Sequence, residues 1–233
     1  MPKETPFAVV SRKLLDAWLA SDPDRPADAI DIYRGAVDLL SVRMRLTLIK
    51  VDDGDPWQWQ MRAIRTYGFA SRLLDMAKFL PDGPLGNVTD RQYMEQAVVP
   101  RMQEVIRTQQ PVMEVVKTKV LGLSVGYDRI MLAQKNTAAP EWVITCTMGR
   151  FMFVAPQKAA ELDLTDESIV QLLVEGATAK EIAAEINVSP RTVEHRLERM
   201  KDRMGARNLV QLTAMLMAQR LGHVTPEMEI HRD

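Results

Sequence analysis

No stretch constrains this 233-residue chain more than 178–208, TAKEIAAEINVSPRTVEHRLERMKDRMGARN, whose capping and breaking residues point to two helices joined by a tight turn. Thr178-Ala179-Lys180-Glu181 has the capping-box spacing, in which a hydroxyl and a carboxylate satisfy the first orphan amides of a helix. That helix carries Ile182, Ala183 and Ile186 on one face, with Ala183 small where a second helix must cross closely. Asn187 tolerates the left-handed backbone of the turn. Ser189 is a good N-cap, and Pro190 suits the first helical position, where its missing amide would have been an orphan anyway. A second helix then runs to Gly205.

At about 100° per residue this second helix divides into stripes. Val193, Leu197, Met200 and Met204 fall on one line, the expected buried seam. Thr192, Arg196, Arg199 and Arg203 form a neighbouring stripe that is almost wholly cationic. Arg191 and His195 point directly away from the seam, while Glu194 and Glu198 occupy the opposite flank beside Lys201. A helix with a cationic edge and a polar crest suits the major groove of a duplex, the edge meeting phosphates and the crest meeting base edges. An ordinary solvated helix can carry the same charges. Two caps, a short turn and a small crossing residue favour the nucleic-acid reading.

Residues 162–221 resemble the LuxR-type helix-turn-helix domain of bacterial transcription regulators. The resemblance is carried by Glu175-Gly176, Lys180-Glu181-Ile182-Ala183, Ser189, Thr192-Val193, Gly205 and Arg207-Asn208, and it covers about a quarter of the chain. It implies an all-α, four-helix domain in which Lys180, Thr192, Arg196 and Arg199 lie near DNA. Ser189, Arg191, His195, Arg203 and Arg207 complete the expected DNA-facing set. Three departures stand out. Thr165-Asp166 replaces the family's Arg-Glu pair, Asn187 its turn glycine, and Glu194 and Glu198 its lysines at two reading positions. Glutamate accepts a hydrogen bond from cytosine but repels phosphate, so base preference does not transfer. The fourth region of sigma factors has a similar Thr-Val-x-x-Arg-Leu run, but no companion promoter-melting domain is visible upstream.

The chain carries a net charge of −1, so any duplex affinity must come from a local patch. Within the reader itself acids slightly outnumber bases, which argues for a homodimer that adds two weak half-sites. A composition of 46% hydrophobic and 26% charged residues describes a soluble globular protein with room for two modest domains. The single cysteine, Cys146, rules out an internal disulfide and fits a reducing cytoplasm. No apolar run approaches the roughly 20 residues of a membrane helix. The opening MPKETPFAVVSRK lacks the hydrophobic segment of a signal peptide.

Upstream of the reader, Phe7, Val10, Leu14, Leu15 and Trp18 recur at helical spacing until Asp22-Pro23-Asp24-Arg25-Pro26 breaks the run. A second helix is expected over 27–40, and residues 1–42 read as packing or dimer-contact helices. Then Met44, Leu46, Leu48 and Lys50 alternate with Arg45, Thr47 and Ile49, as a half-buried strand does. Asp52-Asp53-Gly54-Asp55-Pro56 is a turn, and residues 57–64 alternate again to complete a hairpin. Helical segments are expected through about Gln109, followed by strands over 112–121, 125–133 and 142–153. This order, with the segment Tyr127-Asp128-Arg129-Ile130-Met131-Leu132, resembles a PAS-type sensor domain, a small antiparallel sheet with helices packed against one face. The expected fold is therefore an α+β, PAS-like domain over 43–155, an all-α four-helix domain over 156–222, and a frayed tail over 223–233.

Several other readings fail on their own residues. Leu48-Ile49-Lys50-Val51-Asp52-Asp53 has the form of a phospho-receiver's first strand, but Gly54-Asp55-Pro56 stands where a helix should begin and no phosphoacceptor aspartate follows a third strand. His195, His223 and His231 all lie in or after the reader, so a histidine-ligated haem in the sensor is not expected. Cys146 reads as a small buried hydrophobe. Gly122-Leu123-Ser124-Val125-Gly126 has the letters of a nucleophile elbow, yet it joins two strands and no histidine of its domain could serve Ser124. The fifteen methionines could line an adaptable pocket, with core filling as the default. With no triad, metal-spaced cluster or glycine-rich phosphate loop, neither an enzyme nor a cofactor is expected.

The last helix, over 209–221, holds Leu209, Val210, Leu212, Ala214, Met215, Leu216, Met217, Ala218 and Leu221. That is more apolar surface than one core-facing stripe requires, so it is expected at a homodimer interface, with docking on the sensor as the alternative. The chain thus reads as a cytoplasmic, homodimeric regulator of double-stranded DNA, with RNA polymerase as a candidate further partner. A rival reading is an adaptor whose helix-turn-helix docks on polymerase or another regulator, favoured by the Glu194/Glu198 flank.

Overall fold

Val, Ile, Leu and Met alternating with polar residues build strands, and here they build one antiparallel sheet. A computed structural model describes residues 5–22, 24–135, 137–154 and 162–222. It divides into two units, Met1–Val154 and Ala155–Asp233. The expected behaviour of the tail 223–233 lies outside the described residues.

The first unit opens with α1 (Phe7–Leu19) and α2 (Ala29–Tyr33), the latter capped by Asp28 and continued by a tight helical turn at Arg34–Leu39. The hairpin follows as β1 (Met44–Lys50) and β2 (Gln60–Arg65), with Lys50 opposite Gln60 and Ile49 opposite Met61. Its loop is closed by Asp52 and Asp55, whose carboxylates accept from the amides of Gly54 and Trp57. Next come α3 (Met76–Phe79), the two-residue β3 (Gly83–Pro84) and α4 (Arg91–Tyr93). A π turn at Met94–Val98 then leads into α5 (Val99–Thr108). Pro100 has no amide to give and its ring crowds the preceding turn, which is where the helix widens. The expected helical stretch therefore begins later than the sequence suggested, because residues 66–75 form no helix. Finally β4 (Val112–Val120), β5 (Leu123–Ala133) and β6 (Trp142–Val154) complete the sheet in the order β3-β2-β1-β6-β5-β4.

Every ladder among the described residues is antiparallel, unlike the parallel sheet of a phospho-receiver. The first strand lies inside the sheet, between β2 and the last strand β6. One face, through Met44, Leu46, Ile130, Leu132, Ile144 and Cys146, packs on Val10, Leu14 and Trp18 of α1 and Ile32 of α2. Trp18 fastens this layer by donating its indole N–H to the Ala133 carbonyl at 2.7 Å. Cys146 is fully buried, and desolvation pushes its thiol up to about 12.

The opposite face is covered as well, and this corrects the expectation of helices on one side. Ile49, Met61, Met131 and Val143 pack under Phe79, Leu85, Met94, Met102 and Val105. Arg45 and Thr47, on a strand whose alternation reads as half-buried, are consequently only 3% exposed. A regular alternation cannot distinguish a face toward water from a face toward a second layer when its polar members find partners inside. Arg129 on the same sheet is satisfied by Glu114 at 2.7 Å and by the Ala97 carbonyl, which sits within the π turn.

The second unit contains α6 (Leu164–Val174), α7 (Ala179–Glu185), α8 (Pro190–Met204) and α9 (Leu209–Gly222). Its buried apolar residues are Ile169 and Val170 of α6, Ile182 and Ala183 of α7, the α8 seam, and Leu212, Met215 and Leu216 of α9. No helix among the described residues is long and apolar enough to cross a membrane.

Candidate nucleic-acid interface

The local chemistry of 178–208 forms as its residues dictate. The Thr178 Oγ1 accepts from the Glu181 amide, and the Glu181 carboxylate accepts from the Thr178 amide at 2.7 Å, completing the capping box. These bonds hold the Glu181 carboxyl below its ordinary range. Asn187 adopts φ 55°, the left-handed value the turn needs, and Val188 N–H closes it on the Ala183 carbonyl. Ser189 then caps α8 by accepting from the Thr192 amide at 3.1 Å, and the Ser189 and Thr192 hydroxyls share a bond of 2.8 Å. Gly205 ends the helix at φ 66°. The seam Val193, Leu197, Met200 and Met204 is buried throughout.

Lys180 sits in the first turn of α7, and Arg191 and Thr192 in the first turn of α8. These three are exposed, as are Ser189, His195, Arg203 and Arg207. Glu194 and Glu198 are exposed too, and Glu198 accepts from the Lys201 ammonium at 2.8 Å.

The cationic stripe is not the open row of guanidinium groups that α8 alone implied. Arg196 Nη1 lies 2.7 Å from both Asp163 and Asp166, and Arg199 Nη2 lies 3.2 Å from Asp166. Asp163 also caps α6 by accepting from the Asp166 amide at 2.8 Å. The Asp166 side chain is 1% exposed, so its carboxylate needs donors around it, and α8 supplies them. The hydrogen bond from Arg196, followed by the Asp166 amide, holds the Asp163 carboxyl below its usual range. Arg196 and Arg199 thus join the start of α6 to the middle of α8, leaving 23% and 38% of their side chains exposed. Reading one helix at a time missed this clamp. The available signal was two acids three residues apart at the head of α6, facing two arginines three residues apart on α8.

On α9, Asn208 caps the helix by accepting from the Gln211 amide at 2.8 Å. Val210 is 81% exposed, and Ala214 and Met217 follow it at one-turn intervals, exposed and half-buried respectively. The side chain of Leu221 lies outside the described residues. Among the described residues no cluster of His, Cys, Asp and Glu could hold a metal ion.

Residues 164–216 match the family described as bacterial regulatory proteins, luxR family. Among curated proteins none matches the chain. Solved structures with some likeness include VqmA bound to DPO, at 16% identity over 61% of this chain and 64% of that one, with a TM-score of 0.26. The Vibrio cholerae VqmA dimer is 15% identical over 58% of this chain and 66% of that one, at 0.27. Escherichia coli SdiA is 12% identical over 93% and 99%, at 0.29. The chain spans a little under two thirds of the VqmA structures named.

Proposed function

We propose that this chain, with its luxR-type helix-turn-helix over 164–216, is a bacterial transcription regulator that binds double-stranded DNA as a cytoplasmic homodimer. The observation that carries the reading is α8: a capped helix whose apolar seam is buried while Arg191, Thr192 and His195 stand in solvent. That arrangement offers a polar crest to base edges. Lys180, Ser189, Arg203 and Arg207 are the remaining exposed members of the proposed interface, and Arg196 and Arg199 border it. The four helices α6 to α9 form the reader, and the exposed Val210 side of α9 supplies the dimer contact. The first unit serves as a PAS-like sensing or dimerisation domain. Its support is the order of two strands, helical segments and three strands, gathered into one antiparallel sheet.

A gel shift against genomic fragments at two salt concentrations tests the reading. Binding should select particular fragments, and Arg191→Ala or His195→Ala should change which are selected. A uniform loss of affinity in both variants would show that the crest does not read bases. Lys180→Ala and Arg207→Ala should weaken all duplexes alike, lowering the log–log salt slope by about 0.9 per lost phosphate contact.

A second reading is an adaptor whose helix-turn-helix docks on RNA polymerase or another regulator. Glu194 and Glu198 are exposed, and two stripe arginines are committed to acids, which favours it. Failure to shift any fragment at low salt, with polymerase retained on the immobilised chain, would select it.

A further inference from the structure

The first unit holds a cavity of about 560 Å³ between β5 and β6 of the sheet and the segment that carries α3 and α4. Phe69, Leu74, Phe79, Val125 and Phe151 give it an apolar, largely aromatic wall. Gly126 makes room for one part of that wall, because a Cβ there would overlap the Phe151 ring. At one end stand Tyr67, Tyr93, Tyr127 and Thr147, where Tyr93 and Tyr127 share a bond of 2.8 Å and Tyr67 and Thr147 one of 2.6 Å. A second space of about 60 Å³ adjoins this polar end, sharing Leu80, Tyr93, Tyr127 and Thr147 with the larger one. Arg45, Thr47, Arg129 and Thr145 line it.

Arg45 is the informative residue. It is 3% exposed, and it donates only to two neutral oxygens, the Thr47 hydroxyl at 3.1 Å and the Leu80 carbonyl at 3.0 Å. Its neighbours are treated differently: Arg129 holds Glu114 and Arg150 holds Asp128, each at 2.7 Å. No carboxylate lies within ion-pair distance of Arg45 among the described residues, and Asp82 acts on it only from farther away. Burial accordingly lowers the Arg45 guanidinium from its ordinary value. The Thr145 hydroxyl, on the wall of the same small space, is buried and has no hydrogen-bond partner. A buried guanidinium without an acid and a buried hydroxyl without a partner are both unfavourable unless something else completes them.

We propose that this cavity binds a compact organic anion, with a carboxylate-like head held by Arg45 and Thr145 and an apolar or aromatic body lying among Phe69, Phe79 and Phe151. The inference deepens the sensing role proposed for this unit by naming the chemistry of its ligand. A neutral ligand of the same shape would leave the guanidinium without an ion-pair partner, so charge is what the site selects.

The full-length chain is titrated by calorimetry, without DNA, with benzoate, phenylacetate, 3-phenylpropionate and octanoate, each beside its own primary amide. At least one carboxylate should bind saturably, one per chain, with its amide at least about tenfold weaker. In the wild type labelled with ¹⁵N-arginine, the Arg45 Nε–H resonance should move with that carboxylate and not with the amide. Arg45→Gln should abolish the preference for the anion. Thr145→Val keeps the charge and should weaken the carboxylate several-fold, so it serves as the variant if Arg45→Gln does not fold. No carboxylate binding up to about 5 mM, equal affinity for acid and amide, or an unmoved Arg45 resonance would each overturn the proposal. Because no duplex is present, failure here leaves the DNA-binding reading intact, and failure of the gel shift leaves this test intact.

Discussion

Asp166→Asn isolates the clamp between α6 and α8. The substitution keeps shape and removes charge at a side chain that is 1% exposed and receives Arg196 at 2.7 Å and Arg199 at 3.2 Å. Charge-assisted hydrogen bonds of this kind contribute about 1.5–3 kcal/mol, roughly twice their neutral counterparts. Both guanidinium groups are partly open to water and can rehydrate, so the cost stays below the about 3–5 kcal/mol of stranding a buried charge. The expected loss is about 1–3 kcal/mol, or roughly 5–20 °C in the melting of a unit this small. All four tryptophans, Trp18, Trp57, Trp59 and Trp142, lie in the first unit. Tryptophan fluorescence of the full chain therefore serves as an internal control, while hydrogen exchange of peptides from α6 and α8 reports the second unit. Exchange protection should fall in those peptides with the fluorescence transition in place. If protection stays within about 0.5 kcal/mol of wild type, the ion pairs do not hold these helices together.

Three further outcomes are expected. The Asp163 carboxyl is depressed in the folded chain, so its contribution is full above the ordinary carboxylate range of about 4 and is lost as pH falls through its lower folded value. Helical ellipticity of the wild type should thus soften to denaturant between about pH 5 and 3 more than that of Asp163→Asn, and parallel curves would refute the link. Val210→Glu, on the exposed side of α9, should convert dimer to monomer in sedimentation without lowering helix content; an unchanged dimer would place the interface elsewhere. Gly126→Ala should push the Phe151 ring from its place, at a cost of about 1–3 kcal/mol and with a changed near-ultraviolet spectrum. An unaltered spectrum and melting point would mean that the ring yields freely.

Legibility followed the range of the forces involved. The caps at Thr178, Ser189 and Asn208, the left-handed Asn187 and the seam of α8 depend on residues within a turn or two of each other, and they formed as read. Most strand positions in the first unit were visible from alternation for the same reason, but the second strand begins at Gln60 and not at Trp57, because Pro56–Gln58 form a tight helical turn capped by Asp55. What escaped was set by partners far along the chain. Asp166 meets Arg196 thirty residues later, and nothing within α8 discloses that its cationic edge is partly neutralised. Alternation alone does not disclose that Arg45 is buried, because it is the distant segment carrying Leu80 that covers it and accepts its hydrogen bond. The cavity was illegible for a related reason, since Phe69, Phe79 and Phe151 become one wall only through tertiary packing.

The π turn at Met94–Val98 has a consequence for how this chain tolerates change. Its Ala97 carbonyl is bound at 2.7 Å by Arg129, so the widened turn and the buried arginine of β5 are complementary parts of one device. Removing a single residue there would restore an ordinary helix while leaving a cation inside the protein short of an acceptor. Homologous insertions and deletions should therefore cluster outside 94–98, and any chain that straightens this segment should also have replaced the arginine.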